Sequence, residues 1–178
     1  MAAKTYFVQN SAVAGAAAAV KQPTGSVIRT MMQLAPATGV PIRVIEWGCS
    51  FDGSAAATPG QVELIDTLTV FATMSTAYGV NDIQPFGDPN APANSSGSSG
   101  VPLNLSTTTS GFATTSVTEG SVTGANRQGD LQMIAPTNQY VKQFPLGREF
   151  EVPAGHALRI RATFGTTVNM YCYIIFEV

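Results

Sequence analysis

Apolar and polar side chains alternate with a period of two over residues 168–178, at the end of the chain. One set comprises Val168, Met170, Cys172, Ile174, Phe176 and Val178, and the other comprises Asn169, Tyr171, Tyr173, Ile175 and Glu177. Successive side chains of a strand point to opposite faces, whereas the apolar residues of an amphipathic helix recur every three or four positions. The pattern therefore predicts a terminal β-strand with one face in a core.

The same alternation recurs upstream over 158–164 and 62–72. Gly165-Thr166 lies between the segments 158–164 and 168–178, which predicts a hairpin turn between two paired strands. Residues 42–51 are apolar on both faces, with Ile45, Trp47, Cys49 and Phe51 in one register, and this is typical of a central strand covered on both sides. Weaker strand patterns occupy 5–9, 26–33, 112–118, 132–135 and 149–152.

Glycine- and proline-containing turns punctuate these segments, and helical periodicity is nearly absent. Many short strands broken in this way predict an all-β protein, which we expect to be a single antiparallel β-sandwich. We assign residues 1–25 to an extended N-terminal arm and 26–178 to the sandwich, with a long Gly/Ser/Pro-rich loop at about 79–111. That loop is interpreted as an excursion, because 111–178 alone would bury too little apolar surface to be stable.

Charged residues are scarce. They make up 11% of the chain, against about 25% in a typical soluble domain. Such a weakly charged surface favours association over solubility. Residues 44–126 contain no Lys or Arg, and the net charge is −2, which argues against a nucleic-acid-binding protein. Because no apolar run approaches the roughly 20 residues of a membrane-spanning helix, we expect no membrane partner.

Side chains that support catalysis are few and scattered. The single histidine, His156, lies in a Pro/Gly turn, where we expect it to face solvent rather than act as a catalytic base. Glu149 and Glu151 share one face of a strand, a spacing that would seat paired acids for glycoside hydrolysis. A solvated edge with ion pairing to the neighbouring Arg148 is the favoured interpretation. We therefore predict no enzymatic activity.

Metal and cofactor sites are not expected either. Asp52-Gly53 lacks the further acids of a calcium loop and fits a turn in which the glycine adopts positive φ. Cys49 and Cys172 each lie in an apolar segment, so two buried free thiols are expected, with a bridge between neighbouring strands left open. Trp47 is expected in the core and the two C-terminal tyrosines at an interface.

Three blocks carry a family resemblance: residues 42–64, residues 132–149, and the closing segments 152–162 and 170–177. The first two resemble a family of small virion proteins of tailed bacteriophages. The closing segments are similar to the last hairpin of jelly-roll domains of the tumour-necrosis-factor type. The resemblance implies a capsid decoration (cement) or minor capsid protein with a jelly-roll-like β-sandwich fold. It also implies a homotrimer, with a pentamer left open, and no catalytic residues.

On this interpretation the chain is made in the cytoplasm of the bacterial host and attaches to the exterior of the virion capsid. Its partners would be copies of itself and the major capsid protein. Candidate oligomer or capsid contacts are Tyr171, Tyr173, Ile175, Tyr6, Phe7, Phe86, Val101 and Leu103. The competing hypothesis is a carbohydrate- or receptor-binding β-sandwich module of a phage tail or head fibre, in which Trp47 and the tyrosines would be exposed.

Overall fold

The computed structural model describes residues 4–13, 18–54, 58–87, 103–122 and 126–178. These residues form strands and turns, with no helix among them. The strands are β1 (Thr5–Gln9), β2 (Gln22–Pro23), β3 (Arg29–Leu34), β4 (Ile42–Phe51), β5 (Gly60–Asp66), β6 (Thr76–Ala77), β7 (Ile83–Pro85), β8 (Gly111–Phe112), β9 (Arg127–Ile134), β10 (Gln139–Gln143), β11 (Phe150–Val152), β12 (Leu158–Thr163) and β13 (Asn169–Glu177). Across the described ranges, nothing helical is long and apolar enough to span a bilayer.

The strands assemble into two antiparallel sheets. Sheet A has the order β10-β4-β13-β1-β7, and β11 and β2 pair alongside β4 and β13. Sheet B has the order β6-β8-β3-β12-β5-β9. One hydrophobic cluster draws side chains from both sheets, including Trp47 and Met170 of sheet A and Leu64 and Ile160 of sheet B. The predicted all-β fold is confirmed, and the core lies where the inward faces of the two sheets meet.

The alternation in the last strand is confirmed for its inward residues, although Ile175 of the outward set is also buried. Met170, Cys172, Ile174 and Phe176 are at most 1% exposed. The predicted register of β4 is wrong at one residue. Glu46 pairs with Ile175 and Val44 with Phe176, so Ile45 is an extra residue in the ladder. This β-bulge resets the alternation. Val44 and Trp47 both face the core, and Ile45 is only half-buried.

The predicted hairpin between the last two strands is also wrong. β12 lies in sheet B between β3 and β5, whereas β13 lies in sheet A between β4 and β1. Since both edges of each strand are already paired, Gly165-Thr166 belongs to a crossover between the sheets. Phe164 anchors this crossover in the core, 4.9 Å from the ring of Phe51 between ring centroids.

The described part of the predicted N-terminal arm is built into sheet A. β1 is an interior strand between β13 and β7, and β2 pairs with the start of β13. The physical reason is the alternation in β1, which buries Tyr6 and Val8 completely. The 79–111 excursion contains β7 and, at its end, part of β8, while its central residues 88–102 lie outside the described ranges.

Several weaker strand predictions require corrected bounds. The strand expected over 62–72 ends at Asp66, because Leu68 adopts a left-handed backbone (φ 55°) and its N–H donates to the Asp66 carboxylate at 2.9 Å. The strand expected over 112–118 is only the two-residue β8. Those expected over 26–33, 132–135 and 149–152 are β3, β9 and β11, with the bounds given above.

The outer side of sheet B is covered over β3 and β12 by segments 67–75 and 104–119. Gln33, which is fully buried, donates to the carbonyls of Ala72 (3.0 Å) and Thr109 (2.8 Å). Arg159, which alternates with apolar residues along β12, is also fully buried. Its Nη1 donates to the Glu119 carbonyl at 2.9 Å and lies 3.4 Å from the Glu119 carboxylate. Over β3 and β12, the outer surface of sheet B is therefore formed by these two covering segments and not by the side chains of the strands.

Candidate interaction surface

The outward-pointing side chains of sheet A form a surface that we call the open face. Pairing across β10, β4, β13, β1 and β7 aligns these side chains in rows. Its members are Val141 and Gln143 of β10, Glu46 and Ser50 of β4, Tyr171, Tyr173 and Ile175 of β13, Phe7 of β1, Gln84 of β7 and the following Phe86. Aromatic and uncharged side chains dominate these positions around Glu46, whereas Arg43, Glu151 and Glu177 form ion pairs at one end of the same side of the sheet.

Tyr173 is held rigidly at the centre of the open face. Its ring lies over Gly48, where an added Cβ would be 2.6 Å from the tyrosine Cε1. Its hydroxyl donates to Glu46 Oε1 at 2.7 Å, and the Phe7 ring stacks on it with centroids 5.6 Å apart. Burial, followed by the Glu46 carboxylate, raises the pKa of Tyr173 well above its ordinary value. The hydroxyl therefore remains a neutral donor, and the two rings form a fixed aromatic platform.

One end of the open face carries a groove beside a projecting turn. The turn is closed by the Arg148 N–H, which donates to the Pro145 carbonyl at 2.8 Å, and Gly147 takes a positive φ of 78° within it. Leu146 at its tip is 98% exposed. The adjoining groove, of about 280 Å³, is lined by Ile45, Gln143, Phe144, Pro145, Leu146, Glu149 and Glu177. A rigidly presented apolar side chain next to a partly apolar groove is suited to contact with another macromolecule.

The candidate contact residues separate into three groups. Tyr171, Tyr173, Ile175, Phe7 and Phe86 lie on the open face, although Ile175 is only 7% exposed. Tyr6 and Leu103 lie in the core instead, so their side chains are not accessible to another subunit. Val101 lies outside the described residues.

The burial of Tyr6 follows from strand alternation: Phe7 occupies the outward position, so its neighbour points inward and stacks on Phe176 with centroids 5.7 Å apart. Sequence reasoning missed Val141 and Leu146, which are 54% and 98% exposed. The alternation in 139–143, followed by a Pro-Leu-Gly turn, was the available signal for both.

The residues considered for catalysis do not converge. His156 is only partly exposed to solvent, and its Nδ1 lies 3.0 Å from Oδ2 of the fully buried Asp66. Arg127 Nη1 lies 3.2 Å from the same carboxylate oxygen. Glu151 pairs with Arg43 at 3.2 Å rather than with Arg148, which had been the expected partner. Within the described ranges, no cluster of His, Cys, Asp or Glu side chains is arranged to hold a metal ion.

The remaining expectations for single residues are partly confirmed. Trp47 is fully buried, and Cys49 and Cys172 are buried free thiols, as predicted. The positive φ expected at Gly53 is wrong. This glycine is needed for close packing, since an added Cβ would lie 2.7 Å from Pro136 Cβ and 2.8 Å from Val168 Cγ1.

The open face thus combines aromatic rings and an exposed aliphatic side chain at its centre with ion pairs at one end. Comparison with protein-family models, with curated protein sequences and with solved structures finds no match to this chain.

Proposed function

We propose that the chain is a structural virion protein that binds the outside of a phage capsid shell and stabilises it as a homo-oligomer. In this proposal the two sheets form a jelly-roll-like sandwich, and the protein performs no catalysis. The observation that carries the proposal is the open face, where Tyr173, Phe7 and Phe86 are presented together on one side of sheet A. Aromatic residues are enriched, and charged residues depleted, at the centres of protein interfaces.

The proposed self-association uses the turn and the groove at the end of the open face. Leu146 of one copy would insert between Phe144 and Ile45 of the next, a contact between two different surface patches. Repetition of such a contact produces a closed ring when the rotation between copies closes. A trimer is the proposed state, with a pentamer as the alternative closed ring. The ring would bring several copies of each capsid-binding surface to the shell, which raises the avidity for the major capsid protein.

Replacing Leu146 with serine is expected to weaken self-association about tenfold or more, because a buried aliphatic anchor is lost from the contact. Sedimentation velocity of the wild type and variants over a concentration series measures the effect. As self-association weakens, the number of Leu146→Ser copies bound per native capsid should also fall.

Met133→Ser is the matched control, since Met133 is 68% exposed but lies on the outer side of edge strand β9 in sheet B. We expect it to leave self-association unchanged. A wild-type protein that sediments as a monomer at micromolar concentration would contradict the proposed oligomer. Equal weakening by Met133→Ser and Leu146→Ser would contradict the placement of the contact on the open face.

The carbohydrate-binding alternative depends on exposed stacking residues, and the buried Trp47 is not one of them. We expect the fluorescence of this single tryptophan to be quenched by iodide far more weakly than that of free tryptophan amide. Iodide quenching of the unfolded protein in urea provides the fully exposed reference. Quenching in the native state that matches this reference would contradict the burial of Trp47 and favour the carbohydrate-binding module.

A further inference from the structure

The two cysteines lie directly opposite each other on adjacent strands at the centre of sheet A. Cys49 of β4 and Cys172 of β13 are paired in the antiparallel register. Both face the core, with exposures of 4% and 1%. Their thiols are free.

The backbone of Cys172 identifies the kind of pair they form. Its N–H donates to Asn10 Oδ1 at 2.9 Å, and its carbonyl accepts the Asn10 N–H at 3.0 Å. Both polar groups of Cys172 therefore point away from β4. In an antiparallel ladder this makes Cys49 and Cys172 a non-hydrogen-bonded pair, in which the Cα atoms are about 4.5 Å apart and the side chains are at their closest.

That spacing falls within the range of about 4.4–6.8 Å that disulfide bonds span between Cα atoms. We propose that Cys49 and Cys172 are a latent modification site, at which the two thiols close into a cross-strand disulfide when the chain folds under oxidising conditions. The inference rests on strand register and burial and does not depend on the proposed virion role.

The oxidant is a small disulfide of the glutathione type. One protein thiolate attacks the oxidised glutathione, breaks its S–S bond and releases one glutathione thiolate, which leaves a mixed disulfide. The second protein thiolate then attacks the protein sulfur of that mixed disulfide and releases the other glutathione. The two cysteine protons end on the two released glutathione molecules, so one S–S bond forms for the one that is broken.

Burial restricts when this exchange takes place. Burial raises the pKa of Cys49 to about 12 and holds that of Cys172 well above its ordinary value, so the folded protein contains very little thiolate. Only the thiolate attacks a disulfide. The native reduced protein should therefore oxidise slowly, whereas a chain that folds in the presence of the oxidant closes the bond before the core seals.

The experiment refolds the reduced, urea-unfolded full chain in parallel with oxidised glutathione and with dithiothreitol. We expect the oxidised sample to contain chains without intermolecular disulfides, each lighter by two hydrogen atoms and free of glutathione. Peptide mapping should recover the segments containing Cys49 and Cys172 as one linked peptide. Because the bond would close a loop of over a hundred residues, we expect the melting temperature to rise by on the order of 10 °C above the reduced sample.

Cys49→Ala and Cys172→Ala are the matched controls, and each should either take up one glutathione or keep one free thiol. The wild-type protein that contains the bond must also show the far-ultraviolet circular dichroism spectrum of the native fold. Two free thiols, glutathione adducts or intermolecular disulfides in natively folded wild-type protein would overturn the proposal. So would a bond that forms only in protein without the native fold. These outcomes are read from wild-type protein, so the test holds even if an alanine variant fails to fold.

Discussion

Glu119→Ala is expected to lower the free energy of unfolding by about 3 kcal/mol, because it leaves a fully buried guanidinium without its counter-ion. Arg159 Nη1 lies 3.4 Å from the Glu119 carboxylate, and Arg159 is 0% exposed. The same carboxylate accepts hydrogen bonds from the backbone N–H and the hydroxyl of the buried Thr30. A loss of that size in a chain of 178 residues should lower the melting temperature by about 6–12 °C.

The control for this prediction is an exposed ion pair of similar composition. Arg43 and Glu151 approach to 3.2 Å with side chains that are 54% and 49% exposed, so Glu151→Ala should cost less than about 1 kcal/mol. Arg159→Met, alone and combined with Glu119→Ala, completes a double-mutant cycle. Because the double variant no longer buries an unpaired charge, it should be more stable than the sum of the single losses predicts. Additive losses in urea denaturation would contradict the buried pair.

Trp47→Ala is expected to destabilise the protein by about 3–5 kcal/mol, the range for truncating a large buried aromatic side chain. Trp47 is 0% exposed and lies near the middle of β4, with its ring centroid 5.5 Å from that of Tyr140. Its removal would leave a cavity between the sheets that rigid neighbouring strands are poorly able to fill. Urea denaturation followed by far-ultraviolet circular dichroism measures the loss without relying on tryptophan emission.

Trp47→Phe should be much milder than the alanine variant. Trp47 Nε1 is buried without a hydrogen-bond partner, so phenylalanine removes an unsatisfied donor while keeping most of the apolar surface. Val141→Ala on the same sheet is the exposed control and should change stability by no more than about 0.5 kcal/mol. Equal losses for Trp47→Ala and Val141→Ala would show that the tryptophan does not support the core.

Local patterns sufficed where one strand face meets the core along its whole length. The alternation in 168–178 identified the buried residues of β13, and the apolar run 42–51 identified β4 with its bounds. The same alternation placed Tyr171, Tyr173 and Ile175 on one outward face, which is the centre of the candidate site. Local reasoning succeeded here because the period of a strand is two wherever its ladder is regular.

Local sequence reasoning failed where a second segment of the chain covers a strand face or changes how the strand pairs. The alternation of Arg159 with apolar neighbours did not indicate its burial, because segments distant in sequence cover it and supply its counter-ion. Ile45 was placed in the register of Trp47, but pairing with β13 inserts a bulge at that residue. His156 was expected in solvent, but it meets Asp66 from a strand ninety residues away along the chain.

The amino-acid sequence alone determined that this chain forms β-strands, which of its strongest segments face a core, and that its surface carries little charge. These properties follow from short-range periodicity and composition, which do not depend on how the strands are ordered. The tertiary structure alone decided that the last two strands belong to different sheets, that β1 lies inside sheet A, and that Cys49 stands opposite Cys172. Each of these depends on which strand edges pair, and pairing is a long-range choice that no local pattern encodes.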